Sequence, residues 1–170
     1  MISKKLQDAI NAQINRELYS EYLYISMQAW FANQNLDGFA NWMDAQSKEE
    51  RFHAMKFFNY LIERGGKVEL KAIDKPVIDF KTPLKAFTMA LEHEQFITKN
   101  INDLMEIAIK EKDHASRGLL QWFVDEQVEE EATADKIVSR LKMIGDNAHA
   151  IFMMDNELGQ RVFTPPATGE

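Results

Sequence analysis

Three breaks divide this chain into four long helical patterns, and the middle break is far longer than the other two. Apolar residues recur at helical spacing through residues 3–33 (Leu6, Ile10, Ile14, Tyr24) and 37–64 (Phe39, Met43, Phe57, Tyr60). They recur again from Thr82 (Phe87, Leu91, Ile97, Ile101, Leu104) and from the break at 112–114 to Ile144 (Leu119, Phe123, Ile137, Leu141). Such stripes predict amphipathic helices. The breaks at 33–38 and 112–114 are short, so each flanking pair is expected to be an antiparallel hairpin. The middle segment, 65–81, has 17 residues. A helix of about 28 residues is roughly 42 Å long at about 1.5 Å per residue. Seventeen extended residues reach roughly 56 Å at about 3.3 Å each. The segment is long enough to return along the whole bundle. The expected fold is an all-α four-helix bundle: two antiparallel hairpins joined by one long crossover.

The ends of these segments carry helix punctuation. Asp37 is placed to cap the second helix, and Thr82-Pro83 reads as a cap followed by proline at the first helical position. Gly65-Gly66 and Gly145 read as stops. A short amphipathic helix is expected over 147–158. The bundle and this helix are taken as one domain, 1–160, with 161–170 as a disordered tail.

Composition excludes several classes of function. The net charge is −7 and no basic cluster occurs, which argues against nucleic acid or an anionic membrane as a partner. There are no cysteines, so disulfides, thiolate metal sites and cysteine nucleophiles are absent. No run of about 18 apolar residues exists, and no apolar stretch follows the N-terminal lysines. A cytoplasmic location is the expectation.

Each apolar stripe is interrupted near its middle by a polar residue. Glu17 lies seven after Ile10 and seven before Tyr24, and Glu50 lies seven after Met43 and seven before Phe57. His53 lies four before Phe57, Glu94 three after Leu91 and three before Ile97, and Glu130 seven after Phe123 and seven before Ile137. These spacings place every one of them on an inward face. Four mid-length interruptions on four helices meet in one layer of the bundle. Isolated buried carboxylates cost several kcal/mol each. Two divalent cations carry the charge that four carboxylates lack, with His53 as a nitrogen ligand and Gln127 as a neutral oxygen. A spacing repeat supports the grouping: Glu17 to Glu50 is 33 residues, and so is Glu94 to Gln127. His53 and Glu130 each follow three residues later.

The pair Glu50-x-x-His53 would be weak evidence alone. A second pair, Glu111-x-x-His114, falls at a break and reads as solvated polar residues. The conjunction of four interruptions, the repeat and the crossover length carries the argument. An oxygen-rich ligand set with one imidazole suits iron or manganese. Carboxylates also favour ferric over ferrous iron, so such a site promotes oxidation of Fe(II).

These residues resemble the bacterial and archaeal non-haem ferritin family. The resemblance runs from 15–20 (Asn-Arg-Glu-Leu-Tyr-Ser) through Phe39-Ala-Asn-Trp42, Lys48-Glu-Glu50, His93-Glu94 and Gln121-Trp-Phe123 to 126–131 (Glu-Gln-Val-Glu-Glu-Glu). It implies a ferroxidase in a cage of twenty-four identical subunits, which oxidises Fe(II) with dioxygen and stores a ferric oxide mineral. It implies a first iron position at Glu17, Glu50 and His53, and a second at Glu50, Glu94 and Glu130, with Glu50 bridging and Gln127 beside the pair. It implies a third, neighbouring position at Glu49, Glu126, Glu129 and Glu130, and a redox role for Tyr24. Bacterioferritins repeat Glu-x-x-His in the second half, where this chain reads Gln127-Val-Glu-Glu130. That departure implies looser binding at the second position. They also hold haem through a methionine where this chain has Arg51, so no haem is expected. A rubrerythrin-like peroxidase is the competing redox enzyme on this bundle, and it usually carries a cysteine-bound iron. A helical interaction module without metal leaves the mid-stripe carboxylates unexplained. Trp122 reads as core packing, and His93 and His149 receive no role.

Overall fold

The computed structural model describes residues 2–165. Helices α1 (Lys4–Asn33), α2 (Asp37–Glu63), α3 (Pro83–Lys110) and α4 (His114–Ile144) form the bundle, and α5 (Ala148–Leu158) follows. Helix α1 packs along α2, α3 along α4, and α1 against α3, while α5 lies across α2 and α4. The two expected hairpins are therefore present. No strand occurs among the described residues.

Side-chain caps start four of the helices. Ser3, Thr82, Asp113 and Asn147 accept from the amides of Leu6, Lys85, Ser116 and Ala150 at 3.2, 3.2, 3.0 and 3.1 Å. Helix α2 corrects the expectation for Asp37. Its cap position is Leu36, which makes no side-chain bond, and Asp37 is already helical. The acceptor comes from α5 instead: the Phe39 amide donates to the Asp155 carboxylate at 2.9 Å. Helix α2 ends in a Schellman motif. Gly65, at φ +70°, and Gly66 donate to Ile62 and Leu61 carbonyls at 2.9 Å each.

The crossover is fastened to α1 along its length. Gln7 accepts from the Lys67 amide, and Asn11 bonds Lys67 and Glu69. Further along, Asn15 donates to Ala72 and Ser26 to Val77. Sequence positions advance together on both segments, so the crossover runs beside α1 in the same direction. Phe80 then buries against Trp30, with ring centroids 5.9 Å apart.

Two apolar cores fill the bundle, one at each end. One holds Met27, Phe31, Phe39, Met43, Phe87 and Leu141, and Met154 and Leu158 of α5 complete it. The other holds Leu6, Ile10, Phe57, Leu61, Ile101 and Phe123. The expected stripe of α4 is displaced by one residue at its start. Leu120 is fully buried while Leu119 is only partly so, because Leu120 keeps the three-four spacing through Phe123, Gln127 and Glu130. Leu91 and Tyr60 likewise lie at the margin of the core. The expected tail begins with Arg161, which pairs with Glu49, while residues 166–170 lie outside the described residues.

Gly38 is where α2 and α5 touch most closely. A Cβ built there would stand 1.7 Å from the Asp155 carbonyl oxygen, which no side-chain motion relieves. Gly38→Ala is expected to displace α5 and to lower stability by about 3 kcal/mol, the upper range of overpacking. Denaturant unfolding checks this, and an unchanged midpoint contradicts the packing described.

Candidate metal centre

The residues that interrupt the stripes all lie between the two apolar cores. Glu17, Glu50, His53, Glu94, Gln127 and Glu130 are between 1% and 6% exposed. Helix geometry brings them there: each occupies the inward position of its own repeat, midway along its helix. Among the described residues, no lysine or arginine is buried with them. Four carboxylates therefore share a water-poor layer with no cationic partner.

The electrostatics follow. Burial, then the charge of Glu50, pushes Glu17 up to about 8. Burial, then Glu94, pushes Glu130 up to about 8. Burial raises Glu50 and Glu94 well above the usual carboxylate range, helped by Glu130 at the first and Glu50 at the second.

The hydrogen bonds are few and mostly from neutral donors. Gln13 donates to Glu17 at 2.7 Å. Gln46 donates to both Glu50 and Glu130, at 3.1 and 2.9 Å. The buried Tyr24 hydroxyl donates to Glu94. Gln127 corrects an expectation. It presents its amide nitrogen, not its oxygen, to the Glu94 carboxylate at 3.3 Å, and also bonds Thr98. The amide donor thus faces the acceptor oxygens of Glu94 and Thr98.

Sequence reasoning missed Gln13 and Gln46. Both lie four residues before a layer glutamate, and they are themselves 33 residues apart, so the same spacing repeat contained them.

Some polar atoms remain unsatisfied. Glu17 Oε2, Gln46 Oε1 and His53 Nε2 are buried with no hydrogen-bond partner. Leaving such groups unpaired costs about 1–3 kcal/mol each. Ligand atoms of Glu17, Glu50 and His53 lie within 4.8 Å of one another, with His53 Nδ1 3.7 Å from Glu50 Oε2. A divalent cation would satisfy the orphaned oxygen and offset the shared charge, so the donor set fits a metal ion. A second group, His53, Glu126 and Glu130, also meets within 4.8 Å.

The remaining expected residues divide. Glu126 is half-buried and its carboxyl is raised, by burial first. Glu49 is engaged by Arg161, and Glu129 is exposed and joins neither group. Trp122 is only partly buried and edges the site, its ring 5.6 Å from the His53 ring and beneath the Lys56 ammonium. His93 lies outside the layer, bonded to Ser20 at 2.7 Å and held down to about 4 by burial. His149, Glu111 and His114 are exposed.

A profile of the ferritin-like domain matches residues 7–144. The chain belongs to the ferritin family. It is 42% identical to a bacterial non-haem ferritin of Staphylococcus aureus, covering 96% of this chain and 98% of that one. It is 47% identical to one from Bacteroides fragilis, covering 95% and 100%. Among solved structures, an engineered closed form of Archaeoglobus fulgidus ferritin matches with a TM-score of 0.95 at 49% identity, over 96% of this chain and all of that one. An open-pore ferritin from the same archaeon matches with a TM-score of 0.94 at 48% identity, over 95% and 100%. The ferritin-family fold is thus common to this chain and its relatives. No helix among the described residues is long and apolar enough to cross a membrane.

The raised carboxyls set a pH dependence. Glu17 and Glu130 hold their protons more tightly folded than unfolded. Their contribution to stability is complete below about pH 4.5 and is lost as pH rises through about 8. Metal-free protein, stripped with chelator, is expected to lose thermal stability across that window. Divalent metal binding at neutral pH is expected to release protons, because the ligating carboxylates must be deprotonated. Calorimetry in two buffers of different ionisation enthalpy measures the release. Binding without proton release contradicts the protonated layer.

Proposed function

We propose that this chain is the subunit of an iron-storage ferritin that oxidises Fe(II) with dioxygen and deposits ferric oxide inside a homo-oligomeric cage of twenty-four copies. The observation that carries the reading is the layer of four buried carboxylates and His53 with no basic counter-charge. Ferrous iron is the substrate. Glu17, Glu50 and His53 receive one ion, and Glu50, Glu94 and Glu130 receive its neighbour, with Glu50 shared. Each Fe(II) gives one electron to dioxygen, and the carboxylates favour the ferric product by charge. Glu126, with Glu49 and Glu129 nearby, serves iron on its way onward. No haem is involved.

The flanking residues have defined tasks in this reading. Gln13 and Gln46 orient Glu17 and Glu50 without neutralising them. Tyr24 holds Glu94 through its hydroxyl, which puts an oxidisable phenol beside the iron pair. Gln127 contributes no charge, so the second position binds loosely and passes its ion on.

Assembly is supported by apolar side chains left at the surface. Tyr22 and Ile25 of α1, and Leu70, Val77 and Ile78 of the crossover, are 41–67% exposed. The bond from Ser26 to Val77 brings the two segments side by side. A second copy of the chain suits such a surface. The cage works in the cytoplasm, where Fe(II) is available. The absence of cysteine from the sequence and the non-haem ferritin relatives disfavour the peroxidase alternative.

Anaerobic loading with excess Fe(II), followed by air and sedimentation, tests the proposal. Particles of many subunits holding far more than two irons per chain are expected. A monomer or dimer with two or fewer irons per chain ends the storage reading. Glu50→Ala is expected to slow oxidation by more than the about 10–100-fold that loss of an outer partner costs at a metal site. Oxidation at the parent rate would remove the site assignment.

A further inference from the structure

A cavity of about 290 Å³ opens between α1, the crossover and α3, outside the carboxylate layer. Its lining includes Arg16 and Tyr19 of α1, Asp74 of the crossover, and His93 and Phe96 of α3. Three of these side chains are rings in series. The Tyr19 and His93 centroids are 5.8 Å apart, and those of His93 and Phe96 are 6.1 Å apart. Phe96 is 49% exposed, a large ring left uncovered by the fold of its own chain.

A guanidinium stands beside the rings. Arg16 is half-buried and forms no ion pair among the described residues. Its Nη1 donates to Gln13 Oε1 at 3.2 Å. A guanidinium carries five N–H donors, so most of the fork remains free, and its geometry suits a carboxylate. Asp74 carries the opposite charge, but it is exposed, where water screens it more than the half-buried Arg16. The better-protected charge is the positive one.

We propose that this cavity binds a small planar aromatic carboxylate, with the acid on Arg16 and the ring against Tyr19, His93 and Phe96. The volume suits one or two fused rings, at the small end of ligand pockets. Aromatic walls favour a flat apolar body, and the fork of Arg16 favours a bidentate anion.

The site is wired to the metal centre. Arg16 donates to Gln13, and Gln13 in turn donates to Glu17 at 2.7 Å. A carboxylate held by the free edge of Arg16 leaves the bond to Gln13 in place and fixes the guanidinium that makes it. Gln13 is then held more firmly, and Glu17 with it. The ligand therefore favours iron at Glu17, and iron favours the ligand by the same factor. This coupling rests on the reading of Glu17 as an iron ligand; the cavity itself does not.

Titration of the assembled, metal-free protein with 2-naphthoate, followed by its fluorescence, tests the site. Saturable binding of one molecule per chain is expected. The neutral 2-naphthamide is expected to bind at least about tenfold more weakly, the loss of a hydrogen bond to a charged group. Arg16→Gln is expected to weaken naphthoate by a similar factor and to leave naphthamide unchanged, whereas Phe96→Ala weakens both. No binding to the assembled protein, equal affinity for the two probes, or naphthoate bound undiminished by either variant would overturn the site. Repeating the titration anaerobically with one Fe(II) per chain tests the coupling. Naphthoate affinity is expected to rise at least about fivefold, the lower end of measured couplings. An unchanged or lowered affinity beside bound iron would overturn the coupling. Naphthoate bound as expected by a chain that takes up no Fe(II) would uphold the cavity and remove the iron-oxidising reading, and the coupling with it.

Discussion

Four carboxylates facing one another away from water impose the rest of this architecture. Their mutual repulsion and lost hydration oppose folding, and no arginine or lysine is buried among them to offset it. The compensation is spatial. An apolar core stands on either side of the layer, and each is built from all four long helices. Helices near thirty residues are needed because a single helix must contribute to both cores and to the layer between. A bundle of half the length would have the carboxylates without the burial that tolerates them. The long crossover follows from the same demand, since it must span the full length that two cores require.

The donors around the layer are amides and a phenol, and that choice has an electrostatic reason. Gln13, Gln46, Gln127 and Tyr24 fix carboxylate orientation by neutral hydrogen bonds. A cationic donor in the same places would neutralise the charge that the proposed metal ions would otherwise balance. Arg161 shows the contrast outside the layer: there a guanidinium engages a glutamate, Glu49, and pairs its charge. Neutral orientation keeps charge available; ionic pairing consumes it.

Much of this was legible in the sequence, for reasons of periodicity. Seven-residue spacing placed Glu17, Glu50 and Glu130 on inward faces, and connection lengths alone distinguished hairpins from crossover. What escaped depends on contacts between segments far apart in the chain. Asp155 caps α2 from 116 residues away, so Asp37 looked like the cap. Glu49 is paired from 112 residues away by Arg161, in a stretch that read as tail. Leu119 and Leu120 are adjacent and identical in type, so only the phase carried by Gln127 and Glu130 tells which one is buried. The direction of the Gln127 amide is set by Glu94 and Thr98 across the helix pair, and spacing holds no record of it.

The two hairpins are related but unequal, and the inequality gives the layer two unlike sides. The first contributes Glu17, Glu50 and His53, together with Gln13 and Gln46, two of the three orienting glutamines. The second contributes Glu94 and Glu130, and at the place equivalent to Glu50 it has Gln127, whose amide already bonds Glu94. Glu50 stands at the electrostatic centre of the layer, coupled to Glu17, Glu94 and Glu130, and Gln127 adds no charge on its side. Beyond Glu130 stands a further acidic residue, the half-buried Glu126. Broken symmetry between two similar hairpins is sufficient to give a buried layer two unlike sides, because a fully symmetric layer would carry the same donors on both.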